Sequence, residues 1–250
     1  ISAMKVLFFA LPLLCLTMSP CAAETQFQSG RSQIALIELY TSEGCSSCPP
    51  AEAWLSRLKN NPGLWKQFVP VAFHVDYWDR LGWRDRFSSR EWTARQSRYA
   101  ALWGNESVYT PAVVINGREQ RGWSSSDLQP PNEKAAGVLT LTSADGKNFS
   151  VEFQPENGGS ADWDAHLALL GADISSNVRA GENSGRNLQH DFVVLDLQQA
   201  AMKSGGAALR AQLTSSSATE PRSRKAVAAW VTRRGELAPV QATGGWLPKQ

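Results

Sequence analysis

Thr41-Ser42-Glu43-Gly44-Cys45-Ser46-Ser47-Cys48-Pro49-Pro50 joins two stretches of opposite character. Ahead of it, Ile34-Ala35-Leu36-Ile37-Glu38-Leu39-Tyr40 is a nearly unbroken apolar run and reads as a buried strand. After it, Ala51, Trp54, Leu55 and Leu58 recur at helical spacing until Asn60-Asn61-Pro62-Gly63 stops the helix. A Cys-x-x-Cys thus sits where a strand hands over to a helix N-terminus. Amide N–H groups and the positive end of the helix dipole favour an anion there. The anion a cysteine offers is its thiolate, the attacking species in disulfide exchange.

Upstream, Met4-Lys5 precedes an apolar run from Val6 to Leu16 and small residues ending in Cys21-Ala22-Ala23. Residues 1–23 therefore read as a secretory signal peptide, with an apolar core too short to span a bilayer. Cleavage near Ala23 leaves Cys45 and Cys48, two of the 4 cysteines, in a periplasmic or secreted chain. Two cysteines make no structural framework, and a bridge closing so short a loop constrains the unfolded chain little. Chemistry is the better reason for the pair. No later apolar run is long enough for a membrane span, and a net charge of +2 leaves no electrostatic footprint for nucleic acid.

Downstream, Val69-Pro70-Val71-Ala72-Phe73-His74-Val75-Asp76 reads as a second strand, apolar on both faces. Ser88 and Glu91 fit a capping box opening a second helix, with Trp92, Gln96, Tyr99 and Trp103 as a core stripe. Arg90, Arg95 and Arg98 fall outside that stripe and read as a solvated face. Ala112 to Ile115 reads as a strand after Thr110-Pro111, and Asn116-Gly117 as a hairpin turn into Arg118 to Trp123. A short helix interrupted by Pro130-Pro131 is expected next. From Ala136 onward, short alternating segments separated by turns, such as those flanking Asp145-Gly146, suggest a β-sandwich.

The order strand, redox turn, helix, strand, helix, Thr-Pro, strand, Asn-Gly, strand resembles the thioredoxin fold. In that fold a cis prolyl bond faces the Cys-x-x-Cys, and its backbone pairs with an extended substrate. The resemblance gives that substrate-binding role to Thr110 and Pro111. Five segments are similar, more closely still, to one exported thioredoxin-like family, known as domain of unknown function 1223. They are Tyr40 to Ala51, His74-Val75-Asp76-Tyr77-Trp78, Thr93-Ala94-Arg95-Gln96, Val108-Tyr109-Thr110-Pro111 and Gly181-Glu182-Asn183-Ser184-Gly185. That likeness implies a fold and a site but no substrate. The expected class is an α/β thioredoxin-like domain over residues 32–130, followed by an all-β sandwich-like domain over residues 136–250.

The chemistry that follows is thiol–disulfide exchange on a protein or small-thiol substrate, served by a separate reducing partner of unknown identity. Cys45, the exposed cysteine at the start of the helix, is the expected nucleophile, and Cys48 resolves the mixed disulfide. Ser46 and Ser47 place no charge between the cysteines, so thiolate stabilisation is modest and a mid-range or reducing couple is expected. Glu38, His74 and Asp76 are candidate acid–base residues, with a paired structural acid as the competing role for Glu38 and a hydrogen-bonded core histidine for His74. Glu182 and Asn183 lie in a glycine-bracketed loop able to roof the site. No cofactor beyond the Cys45–Cys48 disulfide and no metal is assigned. Two rival readings stay open: a copper- or zinc-handling module using Cys45, Cys48 and His74, and a binding protein with an inert disulfide.

Overall fold

The computed structural model describes residues 24–122, 134–158, 161–203, 205–210 and 223–248. The expected signal peptide, the segment carrying Pro130-Pro131 and Trp123 lie outside the described residues. The chain runs through strand β1 (Thr25–Gln28), β2 (Ala35–Thr41), helix α1 (Pro49–Arg57), β3 (Phe68–His74), helix α2 (Arg90–Leu102), β4 (Ala112–Ile115) and β5 (Arg118–Gln120). Only strands follow among the described residues. They are β6 (Gly137–Ser143), β7 (Asn148–Pro155), β8 (Trp163–Ala172), β9 (Ile174–Asn177), β10 (Asn187–His190), β11 (Val193–Ala201), β12 (Gly206–Arg210), β13 (Arg224–Arg233) and β14 (Pro239–Trp246).

The expected class, an α/β thioredoxin-like domain followed by a separate sandwich, is overturned. The molecule is β-rich, and one eight-stranded sheet in the order β14-β13-β8-β11-β3-β2-β4-β5 joins strands from both halves of the chain. The seam is β11 lying parallel to β3, with Ala72 N–H donating to Phe192 O at 2.8 Å. β8 and β13 explain why the halves fuse. Ala168 and Leu170 of β8, with Ala226, Ala228 and Trp230 of β13, enter the same core as α1 and α2. Their alternate neighbours Leu167, Leu169, Val227, Ala229 and Val231 enter a second core with Leu139, Leu141, Val151 and Phe153. Side chains alternate across a strand, so both faces of β8 and β13 are apolar and both need covering. A second sheet, β1-β6-β7-β12, covers one of them.

Local signals place the elements around the Cys-x-x-Cys turn. β2 pairs in parallel with β3 and antiparallel with β4, so all three present their ends near residues 41, 74 and 112. Asn116 and Gly117 both take positive φ, 49° and 80°, as a two-residue hairpin turn requires. The second helix is capped by Ser89, whose hydroxyl accepts from Glu91 N–H at 3.2 Å; the expected cap, Ser88, instead donates to Asp79 Oδ2 at 2.7 Å. Arg95 is likewise corrected from solvated to buried, because Glu38 holds its guanidinium at 2.7 Å beneath the helix.

A buried disulfide, its roof and an acid–histidine cluster

The Cys45–Cys48 disulfide bridges the turn from β2 to α1, with Cα atoms 5.4 Å apart. Cys48 is the N-cap of α1, and Cys45 lies in the turn ahead of it, its N–H bonded to Ser42 O at 3.2 Å. Pro49 and Pro50 occupy the first two helical positions, which suits their fixed φ but removes two of the N–H groups a helix start normally offers. The next two, from Ala51 and Glu52, both point at Cys48 O, at 2.9 and 3.1 Å. Direct polar contact with Cys45 Sγ comes from Ser47 Oγ at 3.3 Å.

Thr110-Pro111 is a cis peptide, half-buried beside this turn. Ser47 Oγ reaches Thr110 O at 3.5 Å, while Trp78 Nε1 donates to Thr110 Oγ1 at 2.8 Å. Gln96 fixes the preceding carbonyl, donating to Tyr109 O at 2.6 Å. The expected exposure of Cys45 is not met: both cysteines are fully buried, and only Ser46 and Ser47 of the turn reach solvent.

The cause is the loop between β9 and β10. Gly181 and Gly185 take φ of 75° and 82°, conformations suited to glycine, and fold the segment back on itself. Asn183, 0% exposed, then donates through Nδ2 to both Glu43 O and Cys45 O at 2.9 Å. Its Oδ1 accepts from Arg186 at 2.8 Å, which fixes the amide orientation. Glu182 accepts from Ser46 N–H at 3.0 Å, and those bonds from Ser46 lower its carboxyl pKa. Glu182 and Asn183 thus roof the Cys-x-x-Cys turn, and a carboxylate already occupies the amide of Ser46.

The remaining expected site residues separate. Glu38 accepts from Arg95 Nε and Tyr40 Oη through Oε2, at 2.7 and 3.0 Å, and from Tyr99 Oη through Oε1 at 2.6 Å. It is a fully engaged structural acid. Asp76 accepts from Thr93 Oγ1 at 2.5 Å and serves the start of α2, not His74. His74 is fully buried and pairs through Nδ1 with Asp85 Oδ2 at 2.7 Å.

Sequence reasoning missed the company His74 keeps. Glu43, Glu52, Asp85 and His190 are buried with it. His190 Nδ1 meets Glu52 Oε2 at 2.5 Å, and its Nε2 lies 3.3 Å from Glu43 Oε1. Thr41 Oγ1 donates to Glu52 Oε1 at 2.6 Å, and Trp83 Nε1 to Glu43 Oε2 at 2.6 Å. Burial alone would lower the His190 pKa, but the charges of Glu52 and Glu43 outweigh it and raise the group to about 10. Burial would raise Glu43, but hydrogen bonds from His190, Ser176 and Trp83 bring it down to about 2. In His74, burial is outweighed in the same way by Asp85, and the pKa rises. Glu43 lies within the quoted motif and Glu52 just after it, yet nothing local ties them to His190; only the pairing of β10 with β9 delivers it.

Comparison with solved structures finds a structural-genomics protein of Agrobacterium tumefaciens with a TM-score of 0.62 at 23% identity, covering 86% of this chain and 95% of that one. HBP35 of Porphyromonas gingivalis aligns with a TM-score of 0.52 at 11% identity, over 88% of this chain and 76% of that one. At these identities the likeness is one of fold. No curated protein matches the chain. The family model described as "Protein of unknown function (DUF1223)" matches residues 36–232, spanning the Cys-x-x-Cys turn, the cis prolyl bond, the roof loop and all of the fused sheet but its last strand and two end residues. The chain belongs to the DUF1223 family.

Proposed function

We propose that the protein is a thiol–disulfide oxidoreductase acting in the periplasm or outside the cell on a protein or low-molecular-weight thiol substrate. The observation that carries this reading is the bonded Cys45–Cys48 pair at the head of α1, linked through Ser47 to the backbone of Thr110. In the reduced protein the Cys45 thiolate attacks a substrate disulfide. A Cys45–substrate bond forms, the substrate S–S bond breaks, and the first substrate sulfur leaves as a thiolate that takes a proton from solvent. Cys48, once deprotonated, attacks Cys45 Sγ and releases the second substrate sulfur. The substrate gains two electrons and two protons, and the protein is left with the disulfide described above. A second dithiol, the reducing partner, returns it to the dithiol form. Thr110 and Pro111 offer backbone to an extended substrate beside the sulfurs.

Cys48→Ser removes the resolving thiol and leaves Cys45 free. After exposure to disulfide-bearing proteins or to oxidised glutathione, the reading expects mixed disulfides that accumulate on Cys45 and are absent from Cys45→Ser. A C48S protein that captures neither contradicts it. One observation favours a second reading, a binding protein with an inert disulfide: neither cysteine reaches solvent beneath Asn183. The two readings part on whether the bond opens in the folded protein.

A further inference from the structure

Glu52, His74 and His190 each offer one ligand atom, and the three atoms lie within 4.8 Å of one another in a fully enclosed setting. The two imidazoles meet edge to face with centroids 5.3 Å apart. His74 Nε2 has no hydrogen-bond partner among the described residues although it is shut away from solvent. An orphaned buried ring nitrogen is costly, and its neighbourhood holds a carboxylate and a second imidazole.

We propose that Glu52, His74 and His190 bind a divalent first-row transition-metal ion, with zinc as the best fit. Two imidazole nitrogens and one carboxylate oxygen, with a coordination position left open, match zinc and its neighbours in the series. Calcium and magnesium prefer all-oxygen sets. Ligand atoms around zinc at about 2.1 Å sit roughly 3.4 Å apart, so His190 Nδ1 and Glu52 Oε2, now 2.5 Å apart, open by about 1 Å, while the donor pairs farther apart, all within 4.8 Å, close by about 1.4 Å at most.

One of the outer partners such a centre requires is already bonded, and a second lies close by. Metal-bound histidines pass their other ring N–H to a carboxylate, which fixes the ring and strengthens the donor. Here His74 Nδ1 faces Asp85 at 2.7 Å, and His190 Nε2 faces Glu43 at 3.3 Å. Thr41 Oγ1 holds the other oxygen of Glu52. Asp85 is itself held by the N–H groups of Glu43 and Phe87, both at 2.9 Å. The ion takes the place of the direct contact between His190 Nδ1 and Glu52 Oε2. None of these donors is a cysteine, so the site is independent of the exchange reaction and distinct from a cysteine-bound metal.

The test uses the whole chain with its disulfide intact, which removes both sulfurs as ligands. Equilibrium dialysis against zinc is expected to retain one equivalent per chain, with calcium and magnesium failing to compete. Cobalt in place of zinc is expected to give visible d–d bands without a sulfur-to-metal charge-transfer band. Binding should survive C45S/C48S and fall at least tenfold in His74→Gln and His190→Gln. Should those variants not fold, the cobalt spectrum of the wild-type protein decides alone. No metal retained, loss of binding in C45S/C48S, or undiminished binding by folded H74Q and H190Q overturns the proposal. In the first case the cluster is a proton-held ion-pair network, and in the second the cysteines are the ligands.

Discussion

Asn183 is the side chain on which access to the disulfide turns. Its Nδ2 ties the roof loop to Glu43 O and Cys45 O, and two such bonds together contribute about 2 kcal/mol. Asn183→Ala is therefore expected to speed reduction of Cys45–Cys48 by dithiothreitol at least about tenfold. Glu182→Ala should have a smaller effect, because its bond to Ser46 N–H is exposed. Stopped-flow reduction followed by tryptophan fluorescence measures both. Equal rates in all three proteins would remove the roof from the account. Glu38 supplies a second case. Arg95→Met leaves its carboxylate buried against Tyr40 and Tyr99 without a cation, a loss of about 3–5 kcal/mol in denaturant titration. A loss under about 1 kcal/mol would mean that Arg95 is not what holds the acid in place.

At the level of elements, α1 is anchored by what it lacks as much as by what it has. Pro49 and Pro50 remove two N–H groups, and Glu182 already sits on the amide of Ser46, so among the described residues a Cys45 thiolate would draw on Ser47 and the helix dipole. The couple is accordingly expected near about −270 mV and far from the roughly −120 mV of a strong oxidant. Equilibration of the folded protein against defined dithiol buffers gives the value directly. Much of this neighbourhood was legible: Asn116-Gly117 marks its hairpin, Ala112 to Ile115 its strand, and Thr110-Pro111 the cis bond. β7 alternates strictly along Asn148–Pro155, and reading its period gave the right strand. The same period misled over residues 136–250 as a whole, within which β8 falls. Leu167-Ala168-Leu169-Leu170 is a continuous apolar run, the mark of a strand covered on both faces, and treating it as one side of a sandwich hid the fused sheet. His190 was beyond reach for another reason. Its partners Glu43 and Glu52 lie more than a hundred residues upstream, and only the roof hairpin closes that separation.

For the molecule as a whole, the seam between β3 and β11 makes the N-terminal half depend on the C-terminal half. A fragment ending at residue 133 exposes the long edge of β3 and the apolar partners of Phe192 and Trp230. It should therefore fail to give a dispersed amide spectrum as a monomer, and a well-folded monomeric fragment would restore two independent domains. The fused sheet also buries His166, whose ring stacks on Trp230 at 5.1 Å with Nε2 3.1 Å from Thr232 Oγ1. Burial, aided by the charges of Arg95 and Arg98, lowers its pKa to about 3. The folded state thus binds this proton less readily than the unfolded chain, so stability falls as pH drops below about 6.5 and levels off only near the folded pKa. Between pH 7 and pH 5 the wild-type protein should lose about 2 kcal/mol that His166→Gln retains; parallel pH profiles would contradict that assignment. The central claim, a disulfide that opens and closes within the folded protein, is tested most directly by equilibrating the wild-type chain in graded dithiothreitol while circular dichroism monitors the fold. Two-electron reduction of Cys45–Cys48 that reverses on oxidation, with the sheet signal unchanged, is the predicted result. A bond that yields only when the sheet unfolds would contradict it.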